Sequence, residues 1–214
     1  MADILPFNPL DKKNLGASVA EALLAAKVHP MSAVPGFYGA GVYVIYYAGD
    51  FDPYAELSRR NMIGNAVAPI YIGKAVPAGA RKGLNTATGS RALYSRLTEH
   101  VESIRSANNL RLEDFYCRYL VVDDIWIPLG ESLLIARYAP VWNSVVDGFG
   151  NHDPGAGRYQ GYCPRWDVLH PGRAWAAKCK PRNETQDQIA RDVISYLSIA
   201  PYPTSDRFIG PDDK

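Results

Sequence analysis

Three short runs rich in β-branched and aromatic residues most constrain the fold of this chain. Residues 41–47 (GVYVIYY) and 69–73 (PIYIG) predict two strands, and residues 115–122 (FYCRYLVV) predict a third. Apolar residues at helical spacing predict helices over residues 14–27, 90–107, 128–138 and 184–198. The order of these elements predicts an α+β fold in which a small antiparallel sheet is flanked by helices.

Composition excludes several classes of protein. Apolar residues make up 47% of the 214, which is enough for a packed core in one domain. No apolar run reaches the ~20 residues of a membrane span, and the first residues lack a basic stretch followed by an apolar core, so we expect neither a membrane protein nor a secretory signal. Three cysteines at irregular spacing argue against a disulfide framework and fit a reducing cytoplasm. The chain carries no phosphate-binding or dinucleotide-binding glycine motif, so we expect no nucleotide cofactor.

Positive charge is concentrated in the middle of the chain. Residues 74–182 contain fifteen Lys and Arg against ten Asp and Glu, although the net charge of the whole chain is only +1. The excess is densest in a stretch of seven cations, namely Lys74, Arg81, Lys82, Arg91, Arg96, Arg105 and Arg111. Such a stretch fits either a surface that binds a polyanion or an ordinary solvated face.

Two predicted helices carry polar residues where their patterns favour apolar ones. Arg96 and His100 are one turn apart and lie beside the apolar stripe of their helix. Glu131 lies on the same face as Leu134 and Tyr138. Arg96 and His100 are either satisfied by nearby backbone and carboxylates or belong to a site. Glu131 is either a first-turn residue favoured by the helix dipole or a carboxylate that pairs with a cation or a metal ion.

Taken in order along the chain, these residues resemble the GIY-YIG nuclease superfamily. The series is Gly41-Val42-Tyr43, Tyr71-Ile72-Gly73 with Lys74, Arg96 with His100, Glu131 and Asn143. The resemblance covers about residues 38–145, and the flanks are similar to those of the type II restriction endonuclease branch. Val42 stands where the family usually has Ile, and the connection between the two tripeptides is longer than the usual short turn.

The resemblance implies a single endonuclease domain over residues 1–214 with a three-stranded sheet in its core. A helical arm (1–35) precedes the core. We expect an insert (48–68) and a loop region (147–182) to serve in DNA binding or dimerisation, and a helix to end the chain.

The resemblance also implies hydrolysis of phosphodiester bonds with one Mg²⁺ ion, which Glu131 would bind. Tyr43 would orient or deprotonate the attacking water. A tyrosine of pKa about 10 is a poor base unless its phenolate is stabilised, which makes a neighbouring cation such as Lys74 part of the interpretation. His100 would polarise a tyrosine hydroxyl or the water.

Three further residues complete the implied active site. Tyr71 would hydrogen-bond the scissile phosphate or share the attacking water. Arg96 would stabilise the charge of the pentavalent phosphorus. Asn143 would brace the site by hydrogen bonds.

The resemblance to the restriction endonuclease branch implies that the partner is double-stranded DNA, cut at a GC-rich palindrome by a homodimer. We expect the protein to act in a bacterial cytoplasm. Arginine binds guanine bidentately in the major groove, and glycine permits close approach to a base. The Gly- and Arg-rich loop region and the basic stretch therefore supply the predicted DNA contacts, which are Arg81, Lys82, Arg91, Arg158, Arg165 and Arg173.

Other interpretations stay open at this point. A homing or structure-selective nuclease would use the same chemistry on asymmetric sites or junctions. A DNA-binding protein with a decayed nuclease site is a second alternative. Four residues, His152, Cys163, His170 and Cys179, include the types that bind zinc, but their spacing matches no standard zinc site.

Overall fold

The computed structural model describes residues 8, 10–62, 66–77, 89–153, 155, 159–200 and 203. The described residues form four strands, His29–Pro30 (β1), Gly41–Tyr47 (β2), Pro69–Ala75 (β3) and Phe115–Val121 (β4). They also form α-helices at Lys12–Ala25 (α1), Ala55–Asn61 (α2), Ala92–Ser106 (α3), Ile127–Tyr138 (α4), Val141–Ser144 (α5), Arg165–Leu169 (α6) and Gln186–Ile199 (α7).

The strands make one antiparallel sheet in the order β1-β4-β2-β3. The predicted α+β class is therefore confirmed. The three predicted strands are present, and the N-terminal arm adds the two-residue strand β1, in which His29 pairs with Cys117. Among the residues that the structure describes, β3 forms one edge of the sheet and has a neighbouring strand on one side only.

Both faces of the central strand β2 are covered. Tyr43, Ile45 and Tyr47 face a core that contains residues of α3, α5, α6 and α7. The alternate residues Val44 and Tyr46 face a second core built with α1 and α4. All seven residues of β2 are buried, which explains why its sequence shows no polar alternation.

The insert between β2 and β3 is part of the main core. Tyr54 and Leu57 from the insert are fully buried. The Asn61 amide closes the segment, because it donates to the carbonyls of Tyr47 at 2.8 Å and Ala68 at 3.0 Å and accepts from the Ala68 amide at 2.9 Å. The insert is therefore fixed to the sheet at its base.

A buried hydrogen-bond chain joins the insert to the C-terminal region. His170 Nδ1 donates to Asn109 Oδ1 at 2.9 Å, so its Nε2 accepts from Tyr54 Oη at 2.6 Å, and Tyr54 Oη accepts from Trp142 Nε1 at 2.7 Å. Burial lowers the pKa of His170 to about 3, which keeps the ring neutral. The region predicted as loop thus contributes helix α6 and a specific polar network to the interior.

None of the helices that the structure describes combines the length and the apolar character that crossing a bilayer requires.

Candidate active site

Two tyrosines on neighbouring strands form the centre of the site. Tyr43 on β2 lies opposite Gly73 on β3, and Tyr71 lies opposite Ile45, so both phenols project from the same face of the sheet. Their ring centroids are 6.2 Å apart. A Cβ on Gly73 would lie 2.6 Å from Tyr43 Cζ and 2.9 Å from Tyr71 Cε1. Glycine is therefore required at this position to leave room for the two rings.

His100 is hydrogen-bonded to Tyr43. Its Nε2 lies 2.5 Å from Tyr43 Oη, and its ring stacks on Phe149 with centroids 4.4 Å apart. Burial, followed by the positive charge of Arg96, lowers the pKa of His100 well below its ordinary value. Burial, followed by repulsion from Tyr71, raises the pKa of Tyr43 well above its ordinary value. Both groups are thus uncharged near neutral pH, and the imidazole is available as a proton acceptor.

Arg96 lies one turn before His100 on α3 and borders the two tyrosines. Its Nη2 donates to the Gly150 carbonyl at 2.7 Å and its Nη1 donates to Glu99 at 3.0 Å. Nη1 also contacts His152 Nε2. Burial raises the pKa of Tyr71, and the charge of Arg96 acts against that rise. The guanidinium is therefore placed to stabilise negative charge that develops at the tyrosines or at a bound phosphate.

Glu131 on α4 supplies the carboxylate of the site. Its Oε2 lies 2.6 Å from Lys74 Nζ, and only 16% of the Glu131 side chain is exposed. Its charge also raises the pKa of Tyr71, although α4 packs on the other face of the sheet from the phenols. The ammonium of Lys74 shows that this carboxylate can hold a cation.

The donor set fits a magnesium ion held by one carboxylate. Within the described ranges, no group of three or more His, Cys, Asp or Glu side chains is placed to bind a metal. Mg²⁺ suits a site with one or two carboxylates because it keeps several waters and takes substrate phosphate oxygens as further ligands. The zinc ligands considered from the sequence are also not assembled, since His170 is hydrogen-bonded to Tyr54 and Asn109.

Asn143 on α5 pairs with the free side of the edge strand. Its Oδ1 accepts from the Ile72 amide at 2.8 Å, and its Nδ2 donates to the Ile72 carbonyl at 2.8 Å. The side-chain amide thereby takes the place of a neighbouring strand. Since Ile72 lies between Tyr71 and Gly73, this pair of hydrogen bonds fixes the backbone that carries the site.

The seven residues predicted for catalysis lie on five elements: β2 (Tyr43), β3 (Tyr71 and Lys74), α3 (Arg96 and His100), α4 (Glu131) and α5 (Asn143).

The residues predicted to contact DNA have mixed positions. Arg91 is exposed at the start of α3 and lies over the rings of Tyr94, at 4.7 Å, and Tyr38, at 5.9 Å. The side chain of Arg165 pairs with Asp192 and, at 2.9 Å, with Glu184. Three of the predicted contacts lie outside the described residues: Arg81, Lys82 and Arg158.

Arg173 does not fit the prediction of a DNA contact. The residue is 7% exposed, and both oxygens of the buried Asp167 accept its hydrogen bonds. A buried carboxylate requires such a partner, because an unpaired charge in the interior is strongly destabilising. The guanidinium therefore has no free edge for a base.

Several neighbours of the site were not identified from the sequence. Phe149, Gly150 and His152 reach Arg96 and His100 from the C-terminal region, and Glu99 reaches Arg96 from α3. Sequence separation explains the omission for the first three, because they follow Arg96 by more than fifty positions and belong to no motif. Glu99 is visible only as a possible partner three residues after an arginine on a helix.

The sheet with its tyrosine pair, the Arg96–His100 turn and the Glu131 carboxylate define the chain as a GIY-YIG nuclease. A family model described as the Eco29kI GIY-YIG domain matches residues 35–197, and the chain belongs to that family. A search of curated proteins returns no match. The family match extends well beyond the residues 38–145 that carry the motifs, and it includes the segment that bears Phe149, Gly150 and Arg173.

Proposed function

We propose that this protein is a type II restriction endonuclease, which hydrolyses double-stranded DNA at a specific sequence in the presence of Mg²⁺. The observation that carries the proposal is the intact chemical set around the tyrosine pair. A proton acceptor (His100) and a guanidinium (Arg96) border Tyr43 and Tyr71, and the charge of a carboxylate (Glu131) acts on Tyr71. A decayed site would not be expected to retain every one of these groups.

The proposed proton path runs from water to His100. A water held at the tyrosine hydroxyls gives a proton to Tyr43, which passes its own proton to the neutral Nε2 of His100 at 2.5 Å. The water oxygen then bonds to phosphorus as the bond to the leaving oxygen breaks. Burial keeps the imidazole of His100 neutral, so its Nε2 can accept the proton, and the negative charge of a bound phosphate would favour the imidazolium that forms. This path uses Tyr43 without requiring a free phenolate.

The proposed phosphate contacts come from Arg96 and Tyr71. Tyr71 is the less buried of the two phenols and borders Arg96, so the two side chains can hold one phosphate between them. A preorganised guanidinium stabilises the transition state because its charge is already in place when negative charge develops. Gly150 and Glu99 keep Arg96 oriented before DNA binds.

Glu131 is the residue that would hold Mg²⁺. The bound ion would supply Lewis-acid stabilisation of the phosphate and its leaving oxygen. Lys74, which is 41% exposed beside Glu131, adds positive charge that favours an anionic substrate at this end of the site.

We further propose that two copies act on a palindromic site, each cutting one strand, since a two-fold dimer matches the symmetry of such DNA. The sequence also predicts that the DNA target is rich in G and C. Of the three arginines behind that prediction, Arg165 and Arg173 are engaged within the protein, so it now rests on Arg158 and on the family resemblance.

The test is digestion of a fully sequenced DNA with the purified protein and Mg²⁺, followed by mapping of the ends. Discrete fragments that share one short palindrome at every end support the proposal. Long asymmetric sites or cuts confined to junctions indicate a homing or structure-selective nuclease. Binding without cleavage on unmethylated DNA indicates a binding protein.

Glu131→Ala separates chemistry from binding in the same assay. We expect this variant to bind DNA but to lose Mg²⁺-dependent cleavage. Glu102→Ala is the matched control, because Glu102 is an exposed glutamate that pairs with Arg105 on the surface of α3. Full activity of Glu131→Ala would contradict the assignment of Glu131 as the Mg²⁺ ligand.

A further inference from the structure

The buried guanidinium of Arg173 uses all of its hydrogen-bond donors within the protein. An arginine side chain has five N–H donors, and all five find acceptors. Nε and Nη2 donate to Asp167 at 2.6 and 2.5 Å, and Nη2 also donates to the Gly148 carbonyl at 2.9 Å. Nη1 donates to the carbonyls of Phe149 and Asn151, both at 3.1 Å. The guanidinium therefore fixes three carbonyls within four consecutive residues.

Two tryptophans hold the guanidinium in its plane. The guanidinium carbon lies 4.4 Å from the ring centroid of Trp166 and 4.7 Å from that of Trp175. The paired carboxylate of Asp167 is 1% exposed. Lysine cannot replace arginine here, because its ammonium is a point charge with three donors and cannot form the planar fork.

The segment that Arg173 fixes, residues 148–151, provides two contacts to the active site. The Gly150 carbonyl accepts the 2.7 Å hydrogen bond from Arg96. Phe149 stacks on His100 and packs edge-on against Tyr71 with ring centroids 5.0 Å apart. A small displacement of this segment would therefore move both the guanidinium and the imidazole.

We propose that Arg173 is a positioning residue of the nuclease: it holds residues 148–151 so that Gly150 orients Arg96 and Phe149 keeps His100 against Tyr43. The role replaces the DNA contact that the sequence predicts for Arg173. It rests on the proposed function, because Arg96 and His100 act in that reaction.

The test compares Arg173→Lys with Arg118→Lys. Arg118 is a matched control because its guanidinium also braces backbone carbonyls, those of Ala26 at 3.0 Å and Ala66 at 2.7 Å, but beside Tyr46 on the other face of the sheet. Cleavage is measured over a range of DNA concentrations up to saturation, with saturating Mg²⁺, at a temperature at which circular dichroism shows each variant folded. For Arg173→Lys we expect kcat to fall about 10²-fold, the size of effect that a displacement of about 1 Å produces, with the KM for DNA unchanged. For Arg118→Lys we expect kcat to be unchanged.

Two results would overturn the proposal. A rise in KM with unchanged kcat would show that Arg173 contacts DNA, and equal losses of kcat in both variants would show general destabilisation. If Arg173→Lys does not fold, Asp167→Asn takes its place, since it keeps the side-chain shape while weakening the anchor, and an unchanged kcat in that variant would equally overturn the assignment.

A second measurement does not depend on activity. The ring of Phe149 shifts the NMR signals of the stacked His100 imidazole, so we expect those signals to move in Arg173→Lys and to stay in place in Arg118→Lys. Unmoved signals in Arg173→Lys would refute the positioning role. Lack of DNA cleavage by the wild-type protein would refute the proposed function alone.

Discussion

Replacing Asn143 by alanine removes the only side chain that we find paired with both backbone groups of Ile72 among the described residues. Each lost hydrogen bond lowers the free energy of unfolding by about 1 kcal/mol net. Asn143 is half-buried, so water can reach the freed groups in part, and the total for two bonds is about 2 kcal/mol, rising to about 4 kcal/mol if water does not reach them. A typical domain has about 5–15 kcal/mol, so the variant should fold.

The catalytic effect should be larger than the loss of stability suggests. Ile72 adjoins Tyr71, and a shift of the edge strand by about 1 Å is expected to lower kcat about 10²-fold. Asn61→Ala is the control, because Asn61 likewise joins backbone groups, including the Tyr47 and Ala68 carbonyls, but it closes the insert instead of the tyrosine strand.

The assay combines urea unfolding with steady-state cleavage at saturating DNA, both at a temperature below the melting range of the variants. We expect Asn61→Ala, which removes four hydrogen bonds, to lose at least as much stability as Asn143→Ala, while Asn143→Ala alone loses kcat. A wild-type kcat in Asn143→Ala would refute the view that this amide positions Tyr71. An equal loss of kcat in Asn61→Ala would show that the effect is not specific to the tyrosine strand.

Three further predictions test other parts of the site. Arg96→Ala should lower kcat by about 10²-fold or more while DNA binding in EDTA persists, and near-normal turnover would contradict its role at the phosphate. Gly73→Ala should also lower kcat, because the new Cβ would lie 2.6 Å from Tyr43 Cζ, whereas Gly89→Ala, with no atom within 4 Å, should cleave normally. His170 has a pKa of about 3 in the native state against about 6.5 unfolded, so only the unfolded chain takes up its proton as the pH falls below about 6.5. The free energy of unfolding, measured with urea, should therefore fall by about 3 kcal/mol between about pH 7 and pH 4.5. His170→Gln should lack this part of the pH dependence. Equal pH profiles for the wild-type protein and the variant would contradict the prediction.

The strands and helices that carry the site were predictable because their patterns are local. Strand β2 has the predicted bounds, and α3 and α4 lie within a residue or two of theirs. The start of α1 was predicted less accurately. The pattern predicts a start at residue 14, whereas the helix begins at Lys12 because Asp11 caps it by accepting from the Lys13 amide. Caps depend on single residues, and periodicity does not register them.

The sequence could not predict whether the arginine side chains of the loop region (147–182) point into the protein or towards DNA. A sequence rich in Gly, Arg and aromatic residues fits a DNA-binding loop as well as a buried cation–π network, because both use the same residue types. The partners that distinguish the two cases are Asp167 for Arg173, and Glu184 and Asp192 for Arg165. Arg165 and Asp192 are 27 positions apart, so only the folded chain shows that they meet.

Packing in the core explains why the family match extends beyond the residues that carry the motifs. Trp142 packs against Phe149 at 4.3 Å and Trp166 at 5.8 Å between ring centroids, and it donates to Tyr54 Oη, which in turn bonds His170. These rings join the motif core to both the insert and the C-terminal region. A chain that ended after the last motif residue would expose them and would also lose the carbonyl that orients Arg96. In this chain the segments added to the GIY-YIG core are therefore part of the packing that assembles the candidate active site.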